Sequence, residues 1–294
     1  MANILITGAT GHLGSATIDY LIRKGFPPHQ LRALARNENK AAELKRKGVR
    51  LVIADYNDYN SLVSAFKEAE KVFFISASDI PQRTRQHENV AKALKEAGVK
   101  HVVYTSFVRK TEGSSSPIAV VAEAHWKTEH WLKELDIPHT ILRNNLYMDY
   151  IPFFIGDKVL ETGMIYFPAG EGKAAVALRS EMAEAAASIL MAEKTEKQVY
   201  NFSNVVSYAM TDVALAIEKA SGKPIRYVSP SIDEYRKALK EAQVPEQYIE
   251  LNIGFAHAIA QGEFDTPAND LETLLGRKPV SLEEFYKTLL SQKK

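Results

Sequence analysis

Ile4, Leu5, Ile6 and Thr7 form a short apolar run that stops at Gly8, and glycines recur at positions 11 and 14 as an amphipathic stretch opens. A strand, a glycine turn and a helix in that order form the context in which spaced glycines acquire a physical meaning. Gly8 permits a sharp exit from the strand, Gly11 lets an anion approach the backbone, and Gly14 lets the helix lie close to the sheet. The unpaired N–H groups and positive dipole end of the helix then favour a phosphate. A dinucleotide site on Gly8, Ala9, Thr10, Gly11, His12 and Leu13 is expected.

The alternation continues along the chain. Residues 31–35, 51–54, 71–75, 101–105 and 139–143 read as strands of near-continuous apolar character, which suits a sheet covered on both faces. Residues 15–24, 40–47, 59–68, 83–97 and 119–135 between them read as helices. The expected class is α/β, a doubly wound parallel sheet of the NAD(P)-binding Rossmann type. It should occupy residues 1–150, with a smaller, mainly helical substrate-cleft lobe over 151–294, in line with about 150 residues per domain. Helices are expected at 179–193, 211–220 and 233–243. Residues 199–202 read as a strand that returns to the main sheet, so parts of 175–205 should complete the first domain. The polar, serine-rich stretch 109–117 reads as a mobile loop.

Composition narrows the function classes. Thirty-seven basic residues against 36 acidic ones leave a net charge of +1, without the basic surplus of a nucleic-acid clamp. There are no cysteines, which removes disulfides, thiolate catalysis and cysteine-ligated metal centres together. The start, Met1-Ala2-Asn3, shows no basic leader, and no apolar run approaches the roughly 18 residues of a membrane span. A soluble cytoplasmic protein acting on a small molecule is expected, with no membrane or nucleic-acid partner.

The second strand ends in Ala33-Leu34-Ala35-Arg36-Asn37, with no acid at its tip. An acid there would bond the ribose 2′-hydroxyl of NAD, whereas an arginine suits the 2′-phosphate of NADP. Arg36 offers a planar, permanently charged fork, so NADP(H) is the expected cofactor and NAD(H) the alternative. Asp55, Tyr56 and Asn57 end the third strand, where they either approach the adenine or cap the following turn.

The G-x-x-G-x-x-G spacing resembles the short-chain dehydrogenase/reductase superfamily. More specific resemblances are 74–78 (Phe-Ile-Ser-Ala-Ser), 98–106 (Gly-Val-Lys-His-Val-Val-Tyr-Thr-Ser) and 140–147 (Thr-Ile-Leu-Arg-Asn-Asn-Leu-Tyr). Together with the segment around Arg36 they resemble the NmrA-like atypical short-chain dehydrogenases. Within these, the chain is similar to type 2 NAD(P)H:quinone oxidoreductases and bacterial triphenylmethane reductases. The likeness continues through Val206, Ser221-Gly222-Lys223 and Val244-Pro245-Glu246, nearly the whole chain.

The resemblance implies a cleft in which Gly8 through Leu13 and Arg36 hold the phosphates. Ser76, Ala77 and Ser78 would pass the nicotinamide-side ribose, and Thr140, Ile141, Leu142, Arg143, Asn144 and Asn145 would line the nicotinamide pocket. Tyr147, Tyr150 and Phe153, with Phe154, either wall a planar substrate or pack in the core. No metal and no flavin are implied, and the chain is expected to be a monomer or homodimer.

Ordinary members of the superfamily carry Tyr-x-x-x-Lys, the tyrosine donating a proton to a carbonyl oxygen. With Glu129 aligned to the usual downstream acid, Val121 stands at the tyrosine position and His125 at the lysine position. Ordinary ketone reduction is therefore not expected. Reduction of a quinone escapes the difficulty, because hydride addition leaves a stabilised phenolate that water protonates. His125 is the candidate catalytic residue, as proton donor or substrate contact, against a plain packing role. His125 and His130 are five apart and diverge on a helix, so no metal site is read from them. The function expected is NADPH-dependent reduction of a quinone or similar conjugated aromatic acceptor. The alternative is a non-catalytic NADP(H)-sensing regulator.

Overall fold

The computed structural model describes residues 3–292, so the reading of Met1 and Ala2 lies outside it. The first half alternates strictly: β1 (Ile4–Ile6), α1 (His12–Arg23), β2 (Leu31–Ala35), α2 (Ala42–Arg46), β3 (Arg50–Ile53), α3 (Tyr59–Phe66), β4 (Lys71–Phe74), α4 (Ile80–Glu96), β5 (His101–Phe107), α5 (Ala119–Glu134) and β6 (His139–Asn144). There follow α6 (Ile151–Ile155), α7 (Val159–Thr162), β7 (Met164–Tyr166), β8 (Lys173–Ala174), α8 (Arg179–Met191), β9 (Val199–Phe202), β10 (Tyr208–Ala209) and α9 (Met210–Ser221). The chain ends with β11 (Arg226–Val228), α10 (Ile232–Glu241), α11 (Glu246–Ala260), α12 (Asp270–Leu275) and α13 (Leu282–Ser291).

Among the described residues, seven strands form one all-parallel sheet in the order β3-β2-β1-β4-β5-β6-β9. Alternate residues of its strands point to opposite faces. Leu5, Leu34, Val72, Phe74, Val102, Tyr104 and Ile141 join Leu62 and Phe66 of α3, Val90 and Leu94 of α4 and Leu132 of α5 in one core. Ile4, Ile6, Phe73 and Val103, equally buried, point the other way. Two-sided burial explains the apolar runs of β1, β2, β4, β5 and β6, whereas β3, at the sheet edge, is only partly covered and leaves Ile53 exposed. Helix starts follow local chemistry. Asp58 accepts the Ser61 N–H at 3.1 Å ahead of α3, and Asp79 precedes α4, which begins earlier than expected because Pro81 suits a first turn.

The chain divides into two compact units. The first takes the residues up to Phe107, Val120–Asn144 and Arg179–Phe202, which includes α8 and the returning edge strand β9. The second takes Val108–Ala119, Asn145–Leu178 and the residues from Ser203 onward. Its short sheets pair β10 with β8 and β11 with β7, and its helices α10 and α13 open on Ser-x-x-Glu capping boxes at Ser231 and Ser281. Segment 109–117, expected as a loop of the first domain, belongs to the second as part of Val108–Ala119. The buried Glu263 carboxylate there accepts the Lys110 and Thr111 N–H groups, each at 3.0 Å, and the Thr111 hydroxyl at 2.5 Å. Among the described residues no helix is long and apolar enough to cross a membrane.

Candidate functional site

In the first unit the strand order reverses between β1 and β4, and the crevice beyond the carboxyl ends of such strands is where open parallel sheets bind ligands. The glycine turn stands there. Gly8 has φ +56°, a left-handed conformation that favours glycine, and the Gly11 N–H closes the turn on the Gly8 carbonyl at 2.9 Å. A Cβ on Gly14 would sit 2.4 Å from the Gly8 carbonyl oxygen and 2.9 Å from Ala9 Cα, so the helix can approach the turn only without one. Helix α1 starts at His12, three residues earlier than expected, from an extended Gly11 that no side chain caps. Gly8, Thr10, Gly11 and His12 are exposed, while Ala9 and Leu13 are buried beneath them. The helix end thus presents open N–H donors and its positive dipole, a cradle that fits a pyrophosphate.

Arg36 follows β2 directly, is exposed, and makes no ion pair among the described residues. Asn37 accepts the Asn39 N–H at 2.7 Å and Asp55 accepts the Asn57 N–H at 2.8 Å, so both serve their own turns. Tyr56 is turned inward. Its hydroxyl donates to the Ile75 carbonyl at 2.8 Å and lies 2.5 Å from Thr7 Oγ1, and burial pushes its pKa well up.

The exit of β4 is held by side chains. The Ile75 N–H donates to Thr7 Oγ1, the Ser76 N–H to Thr105 Oγ1 and the Ala77 N–H to His87 Nε2, each at 2.9 Å. Ser76 and Ala77 are half-buried and Ser78 is exposed. His87 is fully buried, and desolvation, reinforced by Arg83, pushes its pKa down to about 3. Thr7, Thr105 and His87 escaped the sequence reading. His87 had a visible signal, for it shares the apolar stripe of α4 with Val90, Ala91 and Leu94.

The residues of segment 140–145 are spread along β6 and just beyond it. Thr140 lies near the start of β6, where its hydroxyl meets His101 Nε2 at 2.9 Å and Thr195 Oγ1 at 3.1 Å. His101 opens β5, so in a parallel sheet Thr140 sits toward the opposite end from the glycine turn. Ile141 is a core residue beside Leu132 and Ile137, and Leu142 is buried as well. Arg143 reaches the carboxyl end and pairs with Glu129, Nη2 to Oε2 at 2.6 Å and Nε to Oε1 at 3.2 Å, while Ser106 donates to the same carboxylate. Asn144, the last residue of β6, is buried. Asn145 belongs to the second unit, where its amide donates to Ser203 Oγ (3.0 Å), the Phe264 carbonyl (3.1 Å) and Thr266 Oγ1 (3.1 Å), and accepts the Leu146 N–H at 2.7 Å. Its amide ties the chain after β6 to Ser203, Phe264 and Thr266 within that unit.

His125 is buried on α5, its Nδ1 3.1 Å from Tyr104 Oη and its ring 5.7 Å from that of Phe107. His125, Glu129 and His130 take separate partners, the last lying against Trp126. In the second unit the aromatic residues divide. Phe154 packs in the core against Phe167 and Phe255, while Tyr150 (45% exposed) and Phe153 (52%) face outward in contact with each other, Tyr147 standing next to Tyr150.

The NmrA-like family profile matches residues 1–289. Quinone oxidoreductase 2 of Escherichia coli (strain K12) is 34% identical over 282 residues, 96% of either chain. The crystal structure of the E. coli NADPH-dependent quinone oxidoreductase complexed with NADPH superposes with a TM-score of 0.91 at 34% identity, over 98% of this chain and 99% of that one. The Citrobacter sp. triphenylmethane reductase complexed with NADP(H) superposes with a TM-score of 0.88 at 36% identity, over 97% and 99%.

Proposed function

The chain belongs to the NmrA-like family, and from that premise we propose that it reduces a quinone or a similar conjugated aromatic acceptor with NADPH. It is an oxidoreductase. The observation that carries the specific reading is the uncapped, glycine-built start of α1 beside an exposed Arg36 with no ion pair among the described residues. The first offers N–H donors to a pyrophosphate and the second a fork to a 2′-phosphate. When bound, the nicotinamide supplies the hydride.

The chain's own residues bind and orient. Gly8 through Leu13 hold the phosphates, Arg36 selects the phosphorylated ribose, and Ser76, Ala77 and Ser78 border the second ribose. Leu142, Arg143 and Asn144 bring the carboxyl end of β6 to the same edge. Tyr147, Tyr150 and Phe153, whose rings stand inclined to one another, are assigned the apolar contacts of a planar acceptor. With Val121 and His125 in place of a tyrosine–lysine pair, and His125 buried, no side chain is assigned the acceptor's proton; a reduced quinone takes it from water. Positioning is then the main contribution of the protein.

The test is steady-state NADPH oxidation by the purified protein across quinones and cationic dyes, with NADPH binding measured alongside. Turnover is expected. Tight binding without turnover on any acceptor would favour the sensing reading, to which the missing pair also lends itself.

A further inference from the structure

We propose that His87 is a positioning residue for the cofactor: its Nε2 accepts the Ala77 N–H and so fixes the exit of β4 against the glycine turn. The inference rests on the reading that the dinucleotide binds at this end of the sheet. Three consecutive N–H groups leave β4, and each is taken by a side chain from a different place: Thr7 after β1, Thr105 of β5 and His87 of α4. The two threonine hydroxyls can donate and accept, so they adapt. The imidazole accepts at Nε2 in one tautomer alone, with its proton on Nδ1.

That tautomer is set from the other side. His87 Nδ1 lies 2.9 Å from Thr128 Oγ1, and the Thr128 hydroxyl donates to the Ala124 carbonyl at 2.5 Å, which leaves the Thr128 oxygen to accept. Hydrogen bonds therefore run in one direction, from Ala77 through His87 and Thr128 to the backbone of α5. The rings of Phe74, 5.0 Å away, and Tyr104, 5.9 Å away, wall the imidazole, and Tyr104 Oη lies 3.4 Å from Nδ1. Burial, reinforced by the positive charge of Arg83 nearby, keeps the ring neutral at physiological pH. A neutral ring is what an acceptor at Nε2 requires, since an imidazolium would set two N–H groups against each other.

The exit matters to the site because it touches the turn. Ile75 Cβ and Cγ2 each stand 3.3 Å from where a side chain on Gly8 would begin, so a displaced exit moves the wall of the cradle. Losing the acceptor should therefore weaken cofactor binding more than the reaction of bound cofactor.

The experiment compares the wild type with His87→Phe, which keeps an aromatic ring without an acceptor, and His87→Gln, whose amide oxygen can accept. His87→Phe is expected to raise KM and Kd for NADPH about 10- to 100-fold with kcat at saturation within about threefold, and His87→Gln to recover most of the affinity. A folded His87→Phe with wild-type KM and Kd, or a His87→Gln as impaired as it, overturns the proposal. If His87→Phe does not fold, Thr128→Val decides, since it keeps the ring but removes the acceptor of the Nδ1 proton. It must show the same loss confined to KM, and an unchanged KM overturns the proposal. Imidazole ¹⁵N shifts of the wild type should report a protonated Nδ1 and bare Nε2, and a proton on Nε2 would refute the assignment. A wild type that binds no NADPH overturns the cofactor reading and the positioning role with it. A wild type that binds NADPH as tightly as His87→Phe overturns the positioning role alone.

Discussion

Position 14 and position 36 work by opposite means. At Gly14 the useful property is the lack of a side chain, because the space a Cβ needs is filled by the Gly8 carbonyl and Ala9 Cα, backbone atoms that cannot swing aside. At Arg36 the useful property is a side chain left uncommitted, exposed and outside any ion pair among the described residues. Arg36→Ala should therefore lower kcat/KM for NADPH about 10- to 100-fold, the worth of a charged hydrogen bond to phosphate, and change that for NADH less than about threefold. Parallel kinetics with the two cofactors check it, and equal losses would mean that Arg36 does not meet the 2′-phosphate. Both residues were legible in the sequence because each acts where it stands, at a strand end or a helix start. Thr140 was not. The resemblance implied a place for it in the nicotinamide pocket, but its position along β6 puts it beside His101 and Thr195.

At the scale of elements, the parallel strands and the helices between them follow from local pattern, whereas segment 108–119 does not. Its serines and Gly113 mark it as a loop, and nothing in them tells that its root is tied to a residue some 150 positions later. Glu263 accepts three hydrogen bonds from Lys110 and Thr111, and Arg109 pairs with Glu112 within the segment at 2.6 Å. Glu263→Ala should leave two backbone N–H groups without their acceptor and accelerate amide hydrogen exchange at Lys110 and Thr111 by about tenfold or more. Exchange there at the wild-type rate would show that the carboxylate does not restrain the segment. Helix α11 was not anticipated from the sequence. Its apolar residues Ile249, Ile253, Ala256 and Ile259 recur at helical spacing, so the signal was present.

For the whole molecule, a loss of stability in acid follows from the desolvated histidines His87 and His101. His87 has a folded pKa near 3, below the ordinary 6.5 that it regains on unfolding, so between those values the unfolded chain binds a proton that the native one refuses. Its contribution is complete above about pH 6.5 and declines as pH falls, by about 2 kcal/mol between pH 6.5 and 5. His101, lowered by burial, Lys71 and His139, acts in the same direction. Urea unfolding at pH 7, 6 and 5 should show this loss in the wild type and a shallower one in His87→Gln; equal slopes would contradict it. The sequence by itself determined the class of fold, the glycine cradle and the arginine at the second strand tip, because periodicity, turn chemistry and strand ends are written in neighbouring residues. Only the tertiary structure decided that His87 faces Ala77 and Thr128, that Ser106 and Arg143 share Glu129, and that Thr140 lies away from the crevice. Those pairings depend on β4 lying beside β1 and β5 beside β6, and strand order is set by how buried faces pack across the whole sheet, which no local run of residues encodes.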